Sequence, residues 1–250
     1  MSKCIIRKRN FPKPELTYLD IFTTEETGTS FQFMRVGNTK DCILKVKIND
    51  EYRINQERTA GAELAFSVGF ELGANNMTIN VSRGNYILPS NFFTTTTTNK
   101  EMVKGVILGN GYFGNTIINS QFSNFRKLES IELPKKIKKI GNMSFMNCHL
   151  LPEIDLSNII EIGENSFNFC LVLDNVILGA SVNSIGWRAF RNCSNLKSFT
   201  INTITPPSLG AEVFDNTHSS LTIYVPAESV DAYKAAPNWS TYAARIEAIA

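Results

Sequence analysis

Residues 128–150 read LESIELPKKIKKIGNMSFMNCHL, and two further segments repeat their pattern: LPEIDLSNIIEIGENSFNFCLV from Leu151 and LDNVILGASVNSIGWRAFRNCSN from Leu173. A fourth unit begins at Leu196, so the spacings are 23, 22 and 23 residues. Matching slots hold an aliphatic pair, an Ile-Gly pair, a Phe and a Cys in each copy. Repetition at this period predicts a solenoid, in which each repeat forms one coil that stacks on the next.

Each coil is predicted to contain one short strand and one helical or 3₁₀ turn. The aliphatic pair, Ile131 and Leu133 in the first copy, places two apolar side chains on one face of a strand. The glycine that follows is expected to give the turn a backbone conformation that other residues resist. Coils stacked about 4.8 Å apart align equivalent side chains into ladders. The predicted structural ladder consists of Phe145, Phe167, Phe190, Cys148, Cys170 and Cys193.

The repeat extends in weaker form on both sides. Upstream, Val106 and Leu108 fit a strand pair, and Phe125 occupies the position of the cysteine. Downstream, residues 221–225 fit a last strand. We count four clear coils and one terminal strand, with residues 77–93 as a possible degenerate coil.

These segments resemble the bacterial leucine-rich repeat known as BspA-like, whose signature is I-x-I-P-x-x-V-x-x-I-G-x-x-A-F-x-x-C-x-x-L. The resemblance covers residues 103–225, and the tail LTIYVPAESVDAYKAAPNWSTYAARIEAI is similar to the closing segment of such proteins from gut Bacteroidetes and their phages. It implies a surface, secreted or virion-associated binding protein rather than an enzyme. The segment TTEETGTSFQFMRVGNTKDCILKVKINDEYR also resembles the short β-modules that precede such repeats.

The predicted fold is α+β and β-rich. A short leucine-rich-repeat solenoid, with a strand and a short helical turn in each coil of 22–23 residues, lies between an N-terminal β-rich module and a C-terminal helical cap. Alternating patterns at 31–35, 43–47 and 77–81 predict strands in the module. Two helical patterns, 228–236 and 241–249, are expected to cover the open end of the last coil. The predicted parts are a basic arm (1–15), the module (16–100), the solenoid (101–226) and the cap (227–250).

Composition argues against several functions. The net charge of +2 is too balanced for a protein that acts mainly on nucleic acid or an acidic membrane. The chain has 2 histidines and contains no GxSxG, P-loop, GxGxxG after a strand, or HExxH motif, so we expect no metal, no cofactor and no enzymatic activity. No stretch reaches the roughly 18 apolar residues that span a bilayer. The start MSKCIIRKRNFPKPE lacks the apolar region of a secretory signal, which favours a cytosolic or virion route over simple secretion. Together with what the resemblance implies, we expect a virion or cell-surface location, or a cytoplasmic one if the protein is not part of a virion.

Three features allow both a structural and a functional interpretation. The repeated cysteines do not have CxxC spacing, which favours a buried structural role, and whether Cys4 and Cys42 pair stays open. The run from Lys135 to Lys139 could contact nucleic acid or lipid headgroups, but neighbouring coils do not continue it, which favours a solvated face. The basic arm, from Lys3 to Arg9, fits either a tether to an acidic partner or disorder.

The outward side of the strands is the predicted binding face. It mixes acidic, apolar and hydroxyl groups, which suits a protein or glycan partner better than catalysis, although a merely solvated row fits equally well. We predict a non-enzymatic attachment protein whose module anchors it in a larger assembly, such as a virion (as a phage appendage) or a cell surface. The alternative is a structural or decorating subunit whose solenoid is a spacer without a ligand, and an enzyme of unrecognised type is a remote third. The predicted row is Ile107, Glu132, Asp155, Ile177 and Thr200, with Thr222 expected to continue it.

Overall fold

Stacked coils make up the repeat region of the computed structural model. The structure describes residues 115–249 in full. Before residue 115 it describes the backbone of strands at 16–23, 30–34, 42–48, 51–58, 65–69, 76–82 and 103–108, with side chains at 106 and 108. The coils, numbered 1 to 5, comprise the described residues 103–108 with 115–127, then 128–150, 151–172, 173–195 and 196–220.

Antiparallel strands precede the coils. They form the orders β4-β3-β6-β1 and β2-β5, and β2, β3 and β6 coincide with the strands predicted near 31–35, 43–47 and 77–81. Because β6 pairs antiparallel on both sides, whereas strands of a solenoid pair in parallel, the expectation of a degenerate coil from residue 77 is wrong. The strands are β1 (Leu16–Thr23), β2 (Ser30–Met34), β3 (Cys42–Ile48), β4 (Glu51–Arg58), β5 (Ala65–Gly69) and β6 (Asn76–Ser82).

The strand β7 (Val103–Leu108) connects these strands to the solenoid. It pairs antiparallel with β1 and parallel with β9 (Ser130–Glu132), so one sheet runs from the N-terminal strands into coil 2. Two further parallel sheets have the orders β8-β10-β11-β13-β15 and β12-β14-β16-β17. Their strands are β8 (Thr116–Ile117), β10 (Lys139–Ile140), β11 (Glu161–Ile162), β12 (Asn175–Leu178), β13 (Ser184–Ile185), β14 (Ser198–Ile201), β15 (Ser208–Leu209), β16 (Thr222–Val225) and β17 (Ile246–Ala248).

A file of stacked phenylalanine rings runs through the coils. Neighbouring rings have centroids 5.1 to 6.2 Å apart and planes inclined by 4° to 13°. This separation is close to the spacing of paired strands, because equivalent side chains of stacked coils repeat with the strands that carry them. The buried rings are Phe122, Phe145, Phe167, Phe190 and Phe214.

Glycine follows the second strand of coils 2 to 5 because neighbouring backbones approach closely there. A Cβ atom at Gly141, Gly163 or Gly186 would lie 2.6 to 2.7 Å from a backbone nitrogen of the preceding coil, and at Gly210 it would lie closer still. None of these glycines has a left-handed φ. The expected reason for the glycine, a special backbone conformation, is therefore wrong, and the position requires the absence of a side chain instead.

The turn segments (118–125, 141–148, 163–170, 186–193 and 210–217) connect the second strand of each coil to its cysteine slot. In coil 2 the amides of Ser144, Met146 and Cys148 donate to carbonyls three residues earlier in the same coil. The intervening amides donate to carbonyls of coil 3, and the same alternation recurs in coils 1 and 4. About half of the amides in such a segment therefore join one coil to the next. The intervening donors in coil 2 are Met143, Phe145 and Asn147.

The C-terminal cap occupies the place that a further coil would take. It contains a 3₁₀ helix (Ala227–Ser229), the helix α1 (Val230–Ala235), a second 3₁₀ helix (Trp239–Arg245) and β17, which pairs in parallel with β16. The helical pattern expected over 241–249 is thus wrong beyond residue 245, because pairing with the open edge of β16 makes that stretch a strand.

Side chains of the cap bind backbone groups of coil 5. Tyr233 Oη donates to Thr203 O (2.9 Å), and Trp239 Nε1 donates to Pro207 O (2.8 Å). The amide of Phe214 donates to Tyr242 Oη (3.3 Å), whereas the equivalent amides of coils 1 to 4 donate to the next coil. The cap therefore supplies hydrogen bonds that a following coil would otherwise make.

Candidate functional site

The cysteine slot forms a file of free, buried thiols beside the phenylalanine rings. Cys148, Cys170 and Cys193 are all fully buried. Burial raises the pKa of all three thiols, to about 12 for Cys193, so they remain protonated near neutral pH. Each Sγ donates to a phenylalanine carbonyl of the preceding coil at 3.1 to 3.2 Å. These thiols fill the core and join coils, and they are not placed to act as nucleophiles.

Asparagine side chains form a polar file along the turn segments. This file was not predicted from the sequence. In four of the five coils an Asn with a left-handed φ of 56° to 67° stands directly before the cysteine slot. Asn tolerates this backbone conformation better than most residues. Coil 3 instead has Phe169 there, with a φ of 63°. The amide hydrogen bonds run from Asn147 to Asn124, from Asn192 to Asn168 and from Asn216 to Asn192, at 2.7 to 3.0 Å.

The predicted binding row lies on the outward side of the strands. The register places Ile107 beside Glu132 and Ile177 beside Thr200, and a bridge between residues 156 and 178 brings Asp155 alongside Ile177. Glu132, Asp155 and Ile177 are exposed and Thr200 is half-buried, while only the backbone is described at Ile107. The strand register thus joins the predicted positions in two groups, Ile107 with Glu132, and Asp155 with Ile177 and Thr200.

The row continues through Tyr224, and the expectation for Thr222 is wrong. Strand β16 sets Tyr224 beside Thr200 and Thr222 beside Ser198. The shift arises because the last unit has one residue fewer between its leading leucine and its strand. Strand β17 then adds Glu247 beside Tyr224. We call the described positions Glu132, Asp155, Ile177, Thr200, Tyr224 and Glu247 the strand-face row.

Asp155 is bound by its own loop. Its Oδ1 accepts hydrogen bonds from the amide (2.9 Å) and the hydroxyl (2.6 Å) of Ser157. These hydrogen bonds, together with the charge of Lys135, lower the pKa of the Asp155 carboxyl. Coil 3 is one residue shorter than its neighbours in this loop, and a Cβ at Gly179 would collide with the Ser157 carbonyl. Asp155 thus has a local structural role, which makes it a poor position for a binding test.

The basic run of coil 2 does not form a continuous basic surface. Lys139 Nζ lies 2.7 Å from Glu161 Oε1 of the next coil. The matching stretch of coil 3 is Ser157-Asn158-Ile159-Ile160-Glu161, which contains no basic residue. This arrangement favours the solvated-face interpretation.

Other predictions concern metals, membranes and the N-terminus. Among the residues that the structure describes, no group of three or more His, Cys, Asp or Glu side chains could hold a metal ion. Nor does that part of the chain contain a helix long and apolar enough to cross a bilayer. The basic arm, Cys4 and the side chain of Cys42 lie outside the described residues, so the predictions made for them stay predictions.

Comparisons with known proteins identify the repeat. Residues 115–236 match the model of the "BspA type Leucine rich repeat region" in 6 copies. Among solved structures, the chain is similar to a leucine-rich repeat protein of T. pallidum, with 21% identity and a TM-score of 0.44 over 51% of this chain and 65% of that one. It is also similar to a leucine-rich repeat protein from Bacteroides ovatus ATCC 8483, with 17% identity and a TM-score of 0.28 over 59% of this chain and 54% of that one. No curated protein sequence matches the chain.

Proposed function

Residues 115–236 of this chain are a BspA-type leucine-rich repeat region, as predicted, and from this premise we propose that the protein is a non-enzymatic interaction protein. Leucine-rich repeat proteins generally mediate protein interaction or adhesion, and BspA-like ones are often surface-associated. In our proposal the solenoid presents the strand-face row to a protein or glycan partner. The N-terminal strands anchor the protein in a larger assembly at a virion or cell surface.

The observation that carries this proposal is the strand-face row itself. Parallel pairing fixes the backbone of the row from Ile177 to Glu247. In the strand that carries Ile177, the alternate residues Val176 and Leu178 are 1% and 0% exposed. Ile177 points the other way and is 47% exposed, although outward positions of a half-exposed strand are usually polar. Six positions at the usual strand spacing form a row about 24 Å long, which suits an extended partner surface.

The buried thiols and the side chains of the strand-face row support a non-enzymatic role. The cysteines of the repeat would be the first nucleophiles to consider, but they are inaccessible and protonated. The strand-face row offers three carboxylates, one hydroxyl, one phenol and one aliphatic side chain, a mixture suited to hydrogen bonds and apolar contact with a partner surface.

The test compares binding by three forms of the full chain. The row variant carries Glu132→Lys and Ile177→Asp. The control carries the same charge changes away from the row, at exposed Glu228→Lys and half-buried Ser184→Asp. A glycan array and a pull-down from host cell envelopes supply the partners, and thermal unfolding verifies that all forms are folded.

We expect the wild type and the control to retain a common partner that the row variant loses. Surface substitutions of this kind usually change stability by no more than about 0.5 kcal/mol, so loss of binding by a folded variant is interpretable. Retention of the partner by the row variant would show that the row is not the binding face. If no form binds a partner and assembly fails only when residues 1–100 are altered, the spacer alternative is correct.

A further inference from the structure

Trp187 occupies a position that serves a structural purpose in other coils. The matching residues of coils 1 and 2, Asn119 and Asn142, use Oδ1 to accept the amide of the next coil at 2.8 and 3.0 Å. In coil 4 the indole of Trp187 replaces this small amide and is 37% exposed. The next coil has Ala211 in the same row, which leaves the neighbouring position without a large side chain.

The indole ring is held in place by charged neighbours. Arg188 Cζ lies 3.8 Å from the ring centroid, so the guanidinium covers one face of the ring. Arg188 Nε donates to Glu212 Oε2 of coil 5 at 2.8 Å. This hydrogen bond, followed by the charges of Arg188 and Arg191 and a smaller contribution from Trp187, holds the pKa of the Glu212 carboxyl below its usual value. A half-exposed aromatic ring is therefore fixed before any ligand arrives, which reduces the entropy lost on binding.

A second exposed aromatic side chain lies on the turn segment of the adjacent coil. Phe169 is 42% exposed and takes the left-handed position that Asn occupies in the other coils. Its amide donates to the Arg191 carbonyl at 3.1 Å, and Arg191 Nε lies 3.8 Å from the same Glu212 carboxylate that binds Arg188. A strained backbone and an interrupted asparagine file both disfavour phenylalanine here for stability, so its presence points to a role in binding.

The charges around the indole compensate one another. Arg188 and Arg191 face Glu212, and Glu164 occupies the matching position of Trp187 in the preceding coil. The two guanidinium groups and the two carboxylates are equal in number and opposite in charge. They provide donors and acceptors for neutral hydroxyl groups.

We propose that Trp187 and Phe169 form a binding site for a neutral oligosaccharide. The apolar C–H face of one sugar ring packs on the exposed face of the Trp187 indole, and its hydroxyls exchange hydrogen bonds with Glu164, Arg188 and Glu212. Phe169 contacts a further ring of the same chain. This site lies on the turn segments rather than on the strand-face row, so it stands or falls independently of the proposed function.

Tryptophan fluorescence makes the site directly testable. The chain has 2 tryptophans, and the other one, Trp239, is completely buried, so acrylamide quenches mainly Trp187. A glycan array of neutral and anionic oligosaccharides identifies the probe, and titration of the neutral glycan that gives the highest signal follows. We expect a saturable change in emission, protection from acrylamide, and at least a tenfold loss of affinity in Trp187→Ala.

Further variants separate binding from folding. Phe169→Asn should raise the melting temperature and weaken glycan binding, whereas Glu228→Lys at an exposed position of the cap, outside the strand-face row and the turn segments, should leave affinity for the neutral glycan unchanged. If Trp187→Ala does not fold, Trp187→Phe keeps an aromatic ring and should lose affinity by a smaller factor. Binding of only anionic glycans, binding of no neutral glycan, or unchanged affinity in the Trp187 variants would each overturn the proposal. Capture of a protein partner through Trp187 without glycan binding would overturn it as well.

Discussion

Replacing Phe167 with alanine should remove the central ring of the phenylalanine file. The ring is fully buried and stacks on Phe145 at 5.2 Å and on Phe190 at 5.1 Å. Truncation of a buried phenylalanine costs about 3–5 kcal/mol, and loss of two ring contacts places this case toward the upper end. Globular domains are stable by only about 5–15 kcal/mol, so the variant should lose a large part of its stability.

Urea denaturation measures the effect. With an m value of about 2.5 kcal/mol/M, a loss of about 4 kcal/mol lowers the midpoint by about 1.6 M. Because each coil contacts only its neighbours, the substitution should also weaken the coupling between the halves of the solenoid. The transitions seen by circular dichroism and by the fluorescence of Trp187 and Trp239, which lie in coil 4 and the cap, should then separate.

Phe169→Ala is a matched control, because it removes the same side chain two residues away in the same coil. Phe169 is 42% exposed, whereas Phe167 is fully buried, so truncation of Phe169 removes less buried surface and should cost clearly less stability than Phe167→Ala. If Phe167→Ala costs no more than Phe169→Ala, the stacked file does not stabilise the solenoid and the reasoning from ring packing fails.

Three further predictions concern the contacts between coils. Because the unfolded chain ionises its thiols near pH 8.5 and folded Cys193 does so near pH 12, this thiol should contribute a loss of stability of about 1.4 kcal/mol per pH unit between those values. Cys193→Ala should reduce the slope of unfolding free energy against pH by that amount, and an unchanged slope would contradict the assigned burial. Gly186→Ala should destabilise by at least about 1–3 kcal/mol in urea denaturation, because its Cβ would lie 2.6 Å from the Glu164 amide nitrogen; a neutral effect would mean that the coils can separate. Tyr242→Phe should cost about 1–3 kcal/mol, since the Phe214 amide loses its acceptor, and an unchanged melting curve would show that water replaces the hydroxyl.

The repeat made most of the solenoid predictable from sequence. Each coil obeys the same local rule, so Val176 and Leu178 could be assigned to the core and Ile177 to the surface from the alternation of side chains along one strand. The phenylalanine and cysteine ladders followed from one further assumption, that residues at equivalent positions of successive coils stack on one another. The strand alternation and the ladders were predictable because the contacts that form them join residues about one repeat apart.

The incorrect predictions lie where the repeat length changes, or where two different physical causes favour the same residue type. The row passes through Tyr224 because the last unit is one residue shorter, and register in a parallel pair depends on the partner strand rather than on local sequence. Residues 246–248 have a helical pattern but pair with β16, since the open edge of a sheet outweighs weak helical preference. A glycine at position 186 has two possible explanations, a left-handed φ or a close approach of the neighbouring backbone. Only the geometry of the neighbouring coil distinguishes them.

The asparagine file illustrates a different difficulty. Asn directly precedes the cysteine slot in several copies, and this recurrence was available in the sequence. Its meaning depends on a left-handed backbone and on side-chain amides that meet across coils, as Asn192 meets Asn216 at 2.9 Å. A polar residue on a turn is usually explained by exposure alone, so the spacing did not reveal these hydrogen bonds.

The way in which the cap meets coil 5 bears on how such a gene can change in length. Tyr233, Trp239 and Asn238 bind carbonyl oxygens, and Tyr242 accepts a backbone amide. Backbone carbonyls and amides of this kind are present in every coil. Unequal recombination that inserts or deletes one whole repeat therefore leaves the cap with an equivalent surface to cover. Natural variation should accordingly appear as steps of a whole coil, with the terminal segment inherited as a unit.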